Sequence, residues 1–156
     1  MTRPEFVYVT YIETTAEKLW NALTSGDFTE RYWFGYRVAS DWRPSSPYRF
    51  TKPGAPAIEG TVLISDPPKR LCYSWDSCSP DAQRERTSRV TFDLEPCGDA
   101  VKLTVVHDEL DEGGVTLRNI SGGWPMVIAN LKSLLESGRV LNIVPASNTE
   151  RETARA

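Results

Sequence analysis

The sequence predicts an α+β domain in which a curved antiparallel sheet wraps around one long helix near the C-terminus. Three observations carry this reading. In Ser121–Gly138 (S-G-G-W-P-M-V-I-A-N-L-K-S-L-L-E-S-G), apolar residues recur at the spacing of one helical face. Between Tyr36 and Leu110 the pattern changes to alternation of apolar and polar residues, which marks strands that are wet on one face and dry on the other. Before that region stand a single strand pattern and two short helical ones.

The elements follow in order. Phe6–Ile12 (F-V-Y-V-T-Y-I) is β-branched and aromatic throughout and reads as a strand. Thr14 and Glu17 have the spacing of a capping box, opening a short helix to about Leu23 that buries Ala16, Leu19, Trp20 and Leu23. Ser25 or Asp27 caps a second short helix through Arg31–Phe34, which Gly35 ends. Strands are expected over Tyr36–Trp42, Tyr48–Thr51 and Ile58–Ser65, and Asp66-Pro-Pro68 is a firm turn because two prolines cannot continue a ladder. Leu71, Tyr73 and Trp75 then alternate with Cys72, Ser74 and Asp76. Past the polar loop Ser77–Glu85, Val90, Phe92 and Leu94 alternate with Arg89, Thr91 and Asp93. Cys97-Gly-Asp99 turns that strand into Ala100–Leu110 as a hairpin.

Asp111–Gly114 is an acidic turn, and Val115–Ile120 is read as one irregular helical turn leading into the long helix. Gly122, Gly123 and Pro125 loosen the approach, because proline lacks an N–H and pushes Trp124 away from the α region. The long helix is therefore expected to start or kink at Trp124. It turns Trp124, Val127, Ile128, Leu131, Leu134 and Leu135 inward, with Asn130, Lys132, Ser133, Glu136 and Ser137 on the other side. Gly138 suits the position just past its end. Residues 1–144 form one domain in this reading, and 145–156 (P-A-S-N-T-E-R-E-T-A-R-A) read as a disordered tail with nothing to bury.

Composition narrows the function classes. At 156 residues the chain can bury a core without disulfides or a metal. A net charge of −3 with both signs interspersed argues against a nucleic-acid surface. Cys72, Cys78 and Cys97 form no C-x-x-C pair, so no zinc site, disulfide framework or cofactor is expected, and reduced thiols fit a cytoplasmic location. No apolar run reaches the roughly 18 residues of a membrane span, and M-T-R-P-E-F has no signal-peptide core. The acidic run Asp108, Glu109, Asp111, Glu112 lacks the spacing of a calcium loop and reads as a solvated turn.

Specific residues then carry a family resemblance. Gly60-x-Val-Leu-x-x-Asp-Pro-Pro-x-Arg-Leu-x-Tyr-x-Trp75, Leu103-x-x-x-His107 and Gly123-Trp-Pro-x-x-x-x-x-Leu-Lys-x-Leu-Leu-Glu-x-Gly138 resemble the START-like (SRPBCC) superfamily. The branch they resemble is that of the C-terminal domain of the activator of Hsp90 ATPase. The opening Val7-Tyr-Val-x-Tyr-Ile-x-x-Thr-x-x-x-x-Trp-x-Ala-Leu23 fits the same branch. The resemblance implies a helix-grip fold with a hydrophobic cavity between sheet and long helix. Different members use that cavity for lipids, sterols, polyketides or plant hormones.

Strand parity and helical spacing nominate the cavity wall: Trp20, Trp33, Tyr73, Trp75, Phe92, His107, Trp124, Val127, Ile128 and Leu131. His107 shares parity with Val101, Leu103 and Val105 and points inward, so it needs hydrogen-bond partners. It is either a polar contact or acid–base group at the cavity mouth, or a histidine satisfied by backbone, Tyr or Asp neighbours. The expected function is binding of a small, mostly apolar or aromatic molecule, with no nucleic-acid partner, no membrane span, and pairing of two copies left open. The alternatives are a cyclase- or hydrolase-like enzyme using the same cavity, and an Hsp90-type co-chaperone acting through its surface.

Overall fold

In the computed structural model, which describes residues 3–144, seven antiparallel strands form one sheet that holds a long helix against its inner face. The order along the chain is β1 (Phe6–Ile12), α1 (Ala16–Thr24), α2 (Gly26–Tyr32), β2 (Arg37–Ser40), β3 (Pro47–Thr51), β4 (Ile58–Asp66), β5 (Arg70–Ser77), β6 (Ser88–Cys97), β7 (Ala100–Asp108) and α3 (Val115–Ser137). In space the strands run β1-β7-β6-β5-β4-β3-β2. Every neighbour after β1 is reached by a short antiparallel connection, while α1 and α2 carry the chain from β1 across to the far edge at β2. This is the helix-grip arrangement expected from the sequence.

Alternation explains the sheet. Leu71, Tyr73 and Trp75 on β5, Val90, Phe92 and Leu94 on β6, and Val101, Leu103, Val105 and His107 on β7 are all buried on the inner face. Across the outer face run the rungs Val7↔Val106↔Thr91↔Cys72↔Ile64, bordered by the Arg70–Asp93 and Arg89–Asp108 ion pairs. Cys72 does point outward as its parity requires, yet it is buried there, with the Thr91 hydroxyl 3.4 Å from its sulfur. Burial raises its thiol pKa, so the sulfur stays protonated and unreactive.

Several boundaries differ from the sequence expectation. The cap of α1 is Thr15, whose Oγ1 accepts the Lys18 N–H at 3.2 Å, so the Thr14–Glu17 capping box does not form. With the helix starting one residue later, Lys18 occupies the position where a box needs an acceptor. Trp20 is only half buried. Helix α2 stops at Tyr32, because Phe34 and Gly35 take left-handed backbone angles, and neither Ser25 nor Asp27 caps it through a side chain. Strand β2 ends at Ser40, where Trp42 turns left-handed and donates its indole N–H to the Thr24 carbonyl.

The largest departure is α3. It begins at Val115, so the stretch read as one irregular turn is a regular part of the helix, and Pro125 lies inside it. The missing start signal comes from a distant residue: the Glu85 carboxylate accepts the Val115 and Thr116 N–H groups at 2.7 and 2.9 Å. These are two of the amides that a helix start leaves without partners. Asn130, expected on the exposed side, is buried; it donates to the Tyr32 carbonyl at 3.4 Å and accepts the Leu141 N–H at 3.1 Å. Gly138 ends the helix in a left-handed conformation, as read. The expected tail 145–156 lies outside the described residues.

Candidate functional site

Trp124 stands where sheet and helix meet, and its surroundings decide what the interior can do. Its ring packs on Trp33, Trp75 and Phe92 with centroids 5.2, 5.7 and 5.8 Å away. Its indole N–H donates to His107 Nδ1 at 3.0 Å. An indole nitrogen can only donate, so Nδ1 is the unprotonated nitrogen and Nε2 carries the hydrogen. That hydrogen goes to Ser88 Oγ at 2.8 Å, and the Ser88 hydroxyl in turn reaches the Trp75 carbonyl at 3.4 Å. The histidine is thus built in as a neutral link between helix α3 and strand β6, with both nitrogens engaged. Burial holds its pKa down at about 3, against a smaller opposing effect of the Asp108 charge.

The partners differ from those expected. Neither Tyr nor Asp satisfies His107; Ser88 and Trp124 do. Ser88 shares the inward parity of Val90, Phe92 and Leu94, a signal that was present in the sequence but lay one residue before the strand as drawn. Tyr73 packs instead on Tyr48 at 4.3 Å and on Phe92 at 5.7 Å.

Beside this network lies an apolar recess of about 170 Å³. Trp33, Trp75, Trp124 and Val127 wall it, together with Ile58, Ile120 and Gly123, and Asn119 stands at its rim as the polar side chain. Four of the ten residues nominated from sequence therefore meet at one space. Tyr73, Phe92, His107, Ile128 and Leu131 are packed into the core around it, each at most 1% exposed. Trp20 lies on α1, partly buried against the core. Ile58, Asn119, Ile120 and Gly123 were missed, three of them because the helix was read as starting after them.

The remaining polar groups are occupied elsewhere. In the acidic turn, Asp108 pairs with Arg89, Glu109 with Arg3 and Arg86, and Asp111 accepts the Arg86 N–H. Among the described residues no cluster of three or more His, Cys, Asp or Glu has the arrangement of metal ligands. Among them, too, no helix is long and apolar enough to cross a membrane.

The family described as activator of Hsp90 ATPase homolog 1-like protein matches residues 13–136. The chain belongs to that family. No curated protein matches it. Among solved structures, a protein from Mesorhizobium loti is 23% identical with a TM-score of 0.75, over 85% of this chain and 96% of that one. The Aha1 dimer from Colwellia psychrerythraea is 20% identical with a TM-score of 0.70, over 86% and 98% of the two chains. An Hsp90 activator from Plasmodium falciparum is likewise 20% identical with a TM-score of 0.70, over 84% and 95%. At these identities the likeness is one of fold, and the START-like, helix-grip architecture is common to all of them.

Proposed function

We propose that this family member is a cytoplasmic binder of a small, mostly apolar molecule, with the recess under α3 as its site. The observation that carries the reading is the space framed by Trp33, Trp75 and Trp124. An apolar cavity of about 150 Å³ is enough to hold one benzene molecule, so about 170 Å³ suits a single-ring ligand. Three tryptophans in mixed stacked, tilted and edge-on arrangement favour an aromatic ring, and the exposed Asn119 offers one hydrogen bond to a polar substituent.

The same geometry argues against acid–base catalysis by His107. Both of its nitrogens are bonded to the protein, Nε2–H to Ser88 and Nδ1 to Trp124, so neither is free to give a proton to a ligand or take one from it. A co-chaperone role remains a reading from fold alone, and the Plasmodium relative's activity is that protein's own. Pairing of two copies is supported by the exposed Val7, Val9 and Tyr11 on β1, an outer strand of the sheet; sedimentation would distinguish the 17.5 kDa chain from a dimer.

The test is titration of the protein with fluorobenzene, followed by ¹⁹F NMR and by the indole N–H signals. Saturable binding that shifts the Trp33, Trp75 and Trp124 signals is expected. Absence of any saturable shift up to the solubility limit overturns the assignment.

A further inference from the structure

We infer that the first third of α3, Val115–Ser121, is a hinged lid over the recess, latched by Glu85. It rests on the binding reading above only for what passes beneath it. Three observations converge on it. The first is a break in the hydrogen-bond ladder of an otherwise continuous helix, which packing explains only in part. Pro125 leaves the Ser121 carbonyl without its usual donor four residues on. Gly122 and Gly123 precede it, yet neither has a left-handed backbone, and a Cβ at either would meet nothing within 4 Å. Each costs about 1 kcal/mol of helix stability relative to alanine. Gly123 has a second rationale, since a side chain there would enter the recess. Gly122 is exposed and has none.

The second observation is how unequally the two parts of the helix are fastened. Beyond the break, Asn130 holds Tyr32 and Leu141, Lys132 donates to the Tyr11 carbonyl, and Glu136 accepts the Glu13 N–H. Before it, among the described residues, the hydrogen bonds from Val115–Ser121 to other elements are the two to the Glu85 carboxylate. At its near end the segment joins the Gly113–Gly114 turn. A Cβ on Gly114 would press within 3.0 Å of that same carboxylate, so the latch needs glycine there.

The third is position. Asn119, Ile120 and Gly123, on or adjoining this segment, form one half of the helix side of the recess wall, Trp124 and Val127 form the other half, and Trp33, Ile58 and Trp75 stand opposite. Swinging the segment away about Gly122–Pro125 uncovers the space while Trp124 keeps its bond to His107. Opening therefore breaks the two hydrogen bonds to Glu85 and exposes Ile120, part of Leu117 and the recess-facing surfaces of Trp33, Trp75 and Trp124, a local cost below that of unfolding the domain.

Native-state hydrogen exchange and fluorobenzene exchange kinetics test this on three proteins: wild type, Gly122→Ala/Pro125→Ala, and Glu85→Gln. Both substitutions in the double variant favour a continuous helix, so loss of folding is not expected. In the wild type the Val115–Ser121 amides should exchange at least tenfold faster than those of Val127–Leu135. The double variant should slow them at least tenfold, and Glu85→Gln should speed them at least threefold. Fluorobenzene association and dissociation should slow together in the first and quicken together in the second, with Kd within about threefold. Uniform protection along α3 that neither variant alters overturns the lid. Rates that do not respond while binding persists overturn it as the route of access. Fluorobenzene that binds none of the three overturns the ligand reading instead, and the exchange pattern alone then decides the lid.

Discussion

His107 has two hydrogen-bonding nitrogens and is fully buried, so its partners fix both its tautomer and its role. A neutral imidazole in the fold with a pKa of about 3 must compete with an unfolded chain where the value is near 6.5. Between those values the unfolded state binds more protons, so stability is complete above about pH 6.5 and falls as pH drops toward 3. The slope from this one group approaches about 1.4 kcal/mol per pH unit. Carboxylates add their own titration at the acid end, which leaves pH 5–6.5 as the clean interval. In His107→Gln the amide can accept from Trp124 and donate to Ser88 without titrating. Urea melts at several pH values should therefore lose the slope between pH 5 and 6.5, and a slope that persists would assign it to other groups. That His107 points inward was legible from strand parity with Val101, Leu103 and Val105. That Ser88 and Trp124 satisfy it was not, because strand limits and helix rotation set those distances and neither is written in local pattern.

At the scale of elements, α3 shows how far periodicity carries. Its inward residues Trp124, Val127, Ile128, Leu131 and Leu134 were readable from spacing alone. Its start was not, since Gly122, Gly123 and Pro125 are ordinary signs of a helix boundary and the compensating Glu85 lies 30 residues away in another loop. Asn130 departs from its expected exposed side for a related reason: a polar side chain can be buried where distant groups satisfy it, here the Tyr32 carbonyl and the Leu141 N–H. Stability measurements separate these residues. Leu131→Ala should cost about 2–5 kcal/mol, as deletion of a buried leucine does. Asn130→Ala should cost about 1–3 kcal/mol through the groups it leaves unpaired. Lys132→Ala, whose ammonium is partly exposed and bonds Tyr11 and Glu136, should stay near or below about 1 kcal/mol. Equal losses at all three positions in denaturant melts would contradict the helix orientation.

For the whole molecule, the antiparallel sheet and its grip on α3 followed from alternation, because such a sheet with one dry face must close that face against something; the strand order was not written in that pattern. How much of the interior is empty did not follow. Strand parity and helical spacing nominated ten residues for the wall of a cavity, but most of their rings pack on one another or on the core, as Tyr73 does on Tyr48 and Phe92. Among the described residues, apolar open space remains where α3 carries Gly123. Its size makes a prediction about occupancy. Val127 is 4% exposed and faces the recess from the well-fastened side of the helix, so a larger apolar side chain there can extend into space rather than into packed neighbours. Val127→Phe puts a ring where the proposed ligand would place its own. The added contacts offset the strain of a larger residue, so the melting temperature should hold or rise. Wild type should bind fluorobenzene with a Kd of about 1 mM or tighter, equivalent to about 4 kcal/mol or more. Val127→Phe should weaken that binding at least tenfold, while Val106→Phe on the outer sheet face should leave it unchanged. Equal affinity in wild type and Val127→Phe, with both folded, would put the aromatic ligand somewhere other than beneath Trp124.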